Sequence, residues 1–218
     1  MARVVDLTQD IHPGMQLFPV FPKPSFVLWT RRETYGFETE AMFLVTHTGT
    51  HVDAPYHFHA GGIRVDQIPV ERLLGPGLLL DFSDWPEKGL IGAEDLRRAE
   101  GAAGTRIQRG DIVLIRTGWD RYLGSERYAS GYPGLSREAA QYLLDCGAAA
   151  VGVDSPNPDH PDAGDFPVHN TLLPREVLII ENLANLGAIG RPRFRFIGLP
   201  LKIRGGTGSP IRAVAIVE

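Results

Sequence analysis

The chain has 218 residues, average apolar and charged fractions for a globular protein, and a formal net charge of -4. That length accommodates one domain with a core that needs no covalent staples, and the acidic balance argues against a nucleic-acid surface, which requires a basic excess on one face. No window approaches the roughly 18 apolar residues that span a bilayer, the opening residues carry no apolar leader core, and the single Cys146 cannot form an internal disulfide, so the expected setting is the cytoplasm.

In chain order, residues 3–8 read as a short strand, followed by the Pro13-Gly14 turn. Pro19, Pro22 and Pro24 then alternate with Phe18, Phe21 and Phe26, which excludes a helix or a central strand. The aromatics predict an ordered arm at about residues 13–28 that packs against something. Residues 41–46 form a strand running into a histidine-rich segment. The short apolar runs 78–82, 111–116, 149–154, 177–181 and 211–217 have the character of buried strands. One helix is expected over about residues 93–99. A second begins at Ser136, an N-cap with Glu138 in the first turn, and ends at Gly147. Cys146 lies at its apolar end, where packing explains it. Strands outnumber helices, there is no repeat, and no composition shift marks a second domain. The reading is one α/β domain over residues 1–218 with a strand-rich core and few helices.

Four of the seven histidines fall between His47 and His59. Metal binding needs several neutral imidazoles and carboxylates aimed at one point. In an extended segment, residues of equal parity share a face, so His47, His51 and Asp53 would point together, with Gly49 leaving the space between the histidines clear. Pro55 ends regular pairing and turns the chain, which brings His57 back over the site. Gly49, the β-branched Thr48, Thr50 and Val52, and Pro55 all disfavour a helix here. Three ligands from one segment call for others elsewhere: His160, His169 and strand-end carboxylates are the candidates. Glu181 closes an apolar run, an unusual place for a charge unless it is paired or bound to a cation, although a solvated strand end also explains it. No Gly-x-Ser-x-Gly nucleophile elbow and no phosphate-cradling loop is present.

The pattern His-x-Gly-Thr-His-x-Asp-Ala-Pro-x-His-Phe, complete from His47 to Phe58, resembles the putative cyclase family, which includes bacterial kynurenine formamidase and isatin hydrolase. Arg116-Thr-Gly-Trp119, Gly152-Val-Asp-Ser-Pro156, His169 with Glu181 and Gly208-Ser-Pro-Ile-Arg-Ala213 extend the likeness along the chain. The resemblance implies a swivelling β/β/α fold, dimers or tetramers, and one or two divalent metals, zinc or manganese. It also implies that His47, His51 and Asp53 hold a first ion. Asp53 would bridge to a second ion completed by His169 and Glu181. His57 takes the position of the catalytic histidine, moving the proton between water and the leaving nitrogen. The implied activity is hydrolysis of N-formylkynurenine in tryptophan catabolism. The alternatives are a cyclic amide such as isatin, or a metal-binding protein without turnover. Two departures stand out. Phe18-Pro19 is followed by Val20-Phe21 where relatives carry Gly-Asp, so the arm aromatic that touches substrate is Phe18 in the ungapped match and Phe21 after a short shift. Thr207 stands where a number of relatives carry Asp.

Overall fold

A computed structural model describes residues 2–218. In chain order its strands are β1 (Arg3–Asp6), β2 (Ser25–Thr30), β3 (Thr39–Phe43), β4 (His51–Asp53), β5 (Leu74–Asp81), β6 (Leu90–Ile91) and β7 (Ile112–Arg116). There follow β8 (Gly134–Leu135), β9 (Ala150–Val153), β10 (Leu178–Glu181), β11 (Arg193–Ile197), β12 (Gly208–Pro210) and β13 (Val214–Val217). The α-helices are short: α1 (Arg32–Tyr35), α2 (Ala93–Ala103), α3 (Arg137–Asp145) and α4 (Pro167–Leu172). Nine strands join in one mixed sheet of order β1-β13-β11-β5-β7-β9-β10-β4-β12. This is the strand-rich α/β class read from the sequence, and none of the helices among the described residues is long and apolar enough to cross a membrane.

The middle strands β5, β7, β9 and β10 run parallel, and both of their faces are covered. Leu78, Leu80, Val113, Ile115, Val151, Val153 and Ile179 turn towards Leu96 of α2, Ala140 and Leu143 of α3 and Leu172 of α4. Their neighbours Leu79, Ile112, Leu114, Ala150, Leu178 and Ile180 turn the other way, onto a second cluster with Leu7, Val52, Phe194 and Phe196. Burial on both sides is why these strands are continuous apolar runs instead of alternating ones. Each fully buried aliphatic side chain contributes about 1.5–3 kcal/mol relative to exposure, so this double layer is the rigid base on which the strand ends stand.

Helix α3 follows its sequence signals, with Ser136 accepting a hydrogen bond from the Ala139 amide and Gly147 at φ +78° just beyond its end. Helix α2 runs further than expected, through Ala102 and Ala103, and stops where Gly104 takes φ +64°. The strand expected at residues 41–46 ends at Phe43 and pairs only with β2. The resulting two-stranded ribbon stands clear of the main sheet. Phe26, Val27, Leu28, Met42 and Phe43 are exposed on it, and Trp29 is 74% exposed. The arm therefore packs at its root, where Met15 and Pro24 are buried, and projects beyond residue 24.

Gly152 lies in β9 directly beside Ile180 of β10. A Cβ there would sit 2.6 Å from Leu114 and 2.7 Å from Leu183, well inside contact distance. Overpacking of this kind costs about 1–3 kcal/mol. Gly152→Ala is therefore expected to lower the free energy of unfolding by that amount, seen as a lower urea midpoint; an unchanged midpoint would show that Leu114 and Leu183 give way without cost.

Candidate metal centre

Strands β4 and β10 pair antiparallel, with Glu181 opposite His51 and Ile179 opposite Asp53. Val52 points into the core cluster that contains Ile180, so His51, Asp53 and Glu181 share the opposite face. The expectation of one extended segment carrying His47 as well needs correction. Strand β4 begins only at His51, His47 lies in a turn, and Gly49 between them has φ +63°. That left-handed residue folds the chain back, so the turn, not strand parity, brings the His47 ring over Asp53. Glycine suits this position because of the positive φ; an added Cβ would also come within 3.3 Å of Met15 Cε, at the free end of that side chain.

The ring of His169 arrives from the other side, in the first turn of α4. Pro167 suits that start, and Asp159 Oδ1 accepts the Val168 amide at 2.6 Å. The five groups then converge. Asp53 Oδ1 lies 2.6 Å from His47 Nδ1 and 3.3 Å from His51 Nε2, while Asp53 Oδ2 lies 3.3 Å from His169 Nε2. Glu181 spans the same gap, Oε2 being 3.3 Å from His51 Nε2 and Oε1 3.3 Å from His169 Nε2. Two sets with metal-holding geometry result, His47–His51–Asp53 and Asp53–His169–Glu181, with Asp53 common to both. All five side chains are buried.

Their electrostatics are those of a cation site. Burial would raise the Asp53 carboxyl pKa, but His47, His169 and His51 hold it well below the usual carboxylate range. Glu181, pushed up by burial and by Asp53, is brought below its ordinary value by His169 and His51. Burial would lower His51, yet Asp53 and Glu181 carry it up to about 10, and His169 rises well above its ordinary value through Asp159, Asp53 and Glu181. Buried carboxylates this close need compensating positive charge, which a divalent ion supplies when the imidazoles are neutral. The donor set also fits such an ion. Buried Glu181 Oε1 has no hydrogen-bond partner among the described residues, and nitrogen with carboxylate oxygen suits zinc, manganese or iron.

His57 follows the short turn Pro55–His57, and its ring stacks on His47 with centroids 4.0 Å apart. Among the described residues its imidazole has no hydrogen-bond partner. Burial brings its pKa down to about 4, against the pull of Asp53 and with the help of His47 and His169. From the arm, the Phe21 ring stacks with that of His47, 6.1 Å away at an interplanar angle of 24°. Phe18 stands behind it, 6.0 Å from Phe21. Phe58 packs 4.4 Å from His169. His59 is exposed, and the His160 ring meets the Lys88 carbonyl, away from the cluster.

Sequence reasoning did not single out Asp159, whose Oδ2 lies 2.5 Å from His169 Nδ1. Such a carboxylate orients a ligating imidazole. Its position in a polar loop beside His160 hid it, and the only available signal was an acidic residue ten positions before a candidate ligand. A buried network behind the site was equally unread. Tyr128 accepts from Gln9 Nε2 and donates to Asn182 Oδ1, both at 2.9 Å, and Thr50 donates to the Asn182 carbonyl at 2.5 Å. This network holds Asn182, at φ +57°, immediately after Glu181.

Comparison with known proteins agrees with this architecture. A family model described as Putative cyclase matches residues 5–160. A kynurenine formamidase of Salinibacter ruber is 28% identical over 97% of this chain and 96% of its own length. An isatin hydrolase of Roseibium aggregatum is 32% identical over 98% of this chain and 91% of its own. The crystal structure of an isatin hydrolase bound to the product analogue thioisatinate superposes with a TM-score of 0.93 at 30% identity, covering 99% of this chain and 92% of that one. With the match spread over nearly the whole chain, the protein belongs to the Putative cyclase family.

Proposed function

We propose that the protein is a metal-dependent amidohydrolase acting on amides of aryl amines, with N-formylkynurenine, cleaved to kynurenine and formate, as the leading substrate. The observation that carries this reading is the pair of ligand sets sharing Asp53, with the unpartnered His57 ring against one of them. His47, His51 and Asp53 hold one divalent ion, and Asp53, His169 and Glu181 hold a second where two are bound; zinc or manganese suits both sets. Such an ion, when bound, acidifies water towards a pKa of about 7 and polarises a carbonyl oxygen.

The remaining work falls to the chain's own side chains. His57 has a free imidazole at the edge of the cluster, close enough to take a proton from the attacking water and return it to the leaving nitrogen. An aryl amide needs that return, because an anilide anion is a poor leaving group. Phe21, with Phe18 behind it, forms an apolar wall for the aromatic ring of the substrate. Phe21 is the arm ring that stacks with His47, at 6.1 Å, which favours it for the contact that the ungapped sequence match assigns to Phe18. His57→Ala is expected to leave metal content per chain unchanged by elemental analysis while lowering kcat about 100-fold or more. Turnover within a few-fold of the parent would remove His57 from the mechanism.

A second reading, hydrolysis of a cyclic amide such as isatin, is supported by the 32% identity to the Roseibium enzyme and by the match to the thioisatinate complex. Both substrates carry the scissile carbonyl on a nitrogen attached to a benzene ring, so the same groups serve either. Offered the two side by side, zinc- or manganese-loaded protein is expected to turn over N-formylkynurenine with the higher kcat/KM. A preference for isatin moves the assignment to cyclic amides, and failure on both with metal bound overturns the amidohydrolase reading.

The reading extends to assembly and setting. A two-stranded ribbon is marginal in water, and this one exposes Val27, Leu28, Trp29, Met42 and Phe43 together. A contiguous patch of that kind favours a covered surface, and we assign the cover to a second copy in a homodimer or homotetramer. One unpaired cysteine and the lack of a basic excess support a cytoplasmic protein that acts on a small molecule and not on nucleic acid. Light scattering is expected to give a dimer or tetramer mass, and Trp29→Glu to shift it towards monomer. A monomeric parent protein would refute the assembly.

A further inference from the structure

The three ligating imidazoles are not held alike. His51 Nδ1 faces the Gly49 carbonyl at 2.8 Å, and His169 Nδ1 faces the Asp159 carboxylate at 2.5 Å. A carbonyl and a carboxylate only accept, so both rings carry a proton on Nδ1 and turn Nε2, the nitrogen left for an ion, towards Asp53 and Glu181. His47 is turned round. Its Nδ1 faces Asp53 Oδ1 at 2.6 Å, and its Nε2 faces the Thr207 hydroxyl at 2.9 Å. Thr207 is held in place because its own carbonyl accepts the Ala54 amide at 2.9 Å.

A hydroxyl donates as readily as it accepts. When Thr207 accepts, His47 carries its proton on Nε2 and offers the Nδ1 lone pair to an ion. When Thr207 donates, the proton sits on Nδ1 and goes to Asp53. That second tautomer satisfies every partner without a cation and cannot ligate. His47 thus has two hydrogen-bonded states, and an ion must draw it out of the closed one, which lowers apparent affinity by the fraction of the competent state. His51 and His169 have no such second tautomer, because their Nδ1 partners only accept.

We infer that Thr207 is a positioning residue that controls which nitrogen His47 presents, and that it thereby sets the affinity of the His47–His51–Asp53 ion. The inference rests on the metal-dependent reading above. It also predicts that the chemistry at residue 207 tunes one ion and leaves the other alone.

The test is a competitive chelator titration of the metal-free protein with zinc. The parent is expected to bind in two steps. Thr207→Val, which keeps the shape and removes the hydroxyl, leaves the Nε2 proton of the ligating tautomer with no partner and is expected to weaken only one step, about 10-fold or more. Thr207→Ser is expected to restore it. Thr207→Asp, which can only accept, is expected to tighten it. The other step and the Tm of the metal-free protein should stay unchanged in all three. A single bound ion in the parent, two steps that are both indifferent to Thr207→Val, or two steps that shift together would each overturn the inference while leaving metal dependence standing. A parent that takes up no zinc would overturn both.

Discussion

Two carboxylates, Asp53 and Glu181, lie buried side by side with imidazoles within 3.3 Å of both. Negative charge of that density is unstable in a protein interior unless positive charge stands against it. In the chain as described, protons on the histidines supply that balance, which is why His51 and His169 titrate far above an ordinary imidazole. A divalent ion would supply it more compactly. Much of the surrounding architecture can be understood as the means of holding five polar groups together in a place that would otherwise expel them.

The parallel strands β5, β7, β9 and β10 provide rigidity because both their faces are packed. Strand β10 delivers Glu181 at its end, and β4 pairs with it so that His51 stands directly opposite. Helix α4, anchored by Asp159 at its first turn, brings His169 from the helical layer. His51, Asp53, His169 and Glu181 therefore arise from elements whose positions are set by apolar packing and inherit that precision, whereas His47 comes from the turn folded back at Gly49. The hydrogen bonds around them, from Gly49, Asp159 and Thr207, then set ring orientation.

The arm obeys different physics. Its root contributes Phe21 to the site by stacking on His47, while the ribbon beyond it exposes aromatic and aliphatic side chains that nothing among the described residues covers. A segment that is ordered by backbone pairing yet leaves its apolar surface in water points to contacts with another molecule. Metal chemistry and assembly would then meet in one stretch of about twenty-five residues, which also makes the arm the natural place for substrate choice to diverge among relatives.

Much of the fold was legible in the amino-acid sequence because burial on both faces writes itself as unbroken apolar runs, as in residues 112–115 and 178–180. The clustering of His47, His51, Asp53 and His57 was legible too, since side-chain chemistry and chain proximity coincide there. Asp159 was not, because a single acidic residue in a polar loop looks the same whether it meets solvent or a buried imidazole. The turn at Gly49 was misread as strand, since parity alone cannot reveal a left-handed residue. Which donors stand together, which nitrogen of each ring faces inward, and whether Phe18 or Phe21 lies over His47 depended on pairings between residues as far apart as His47 and Thr207. The sequence by itself determined the strand-built class and the local ligand motif; only tertiary structure decided how distant polar groups meet, because those contacts follow from the packing of whole elements and leave no local pattern.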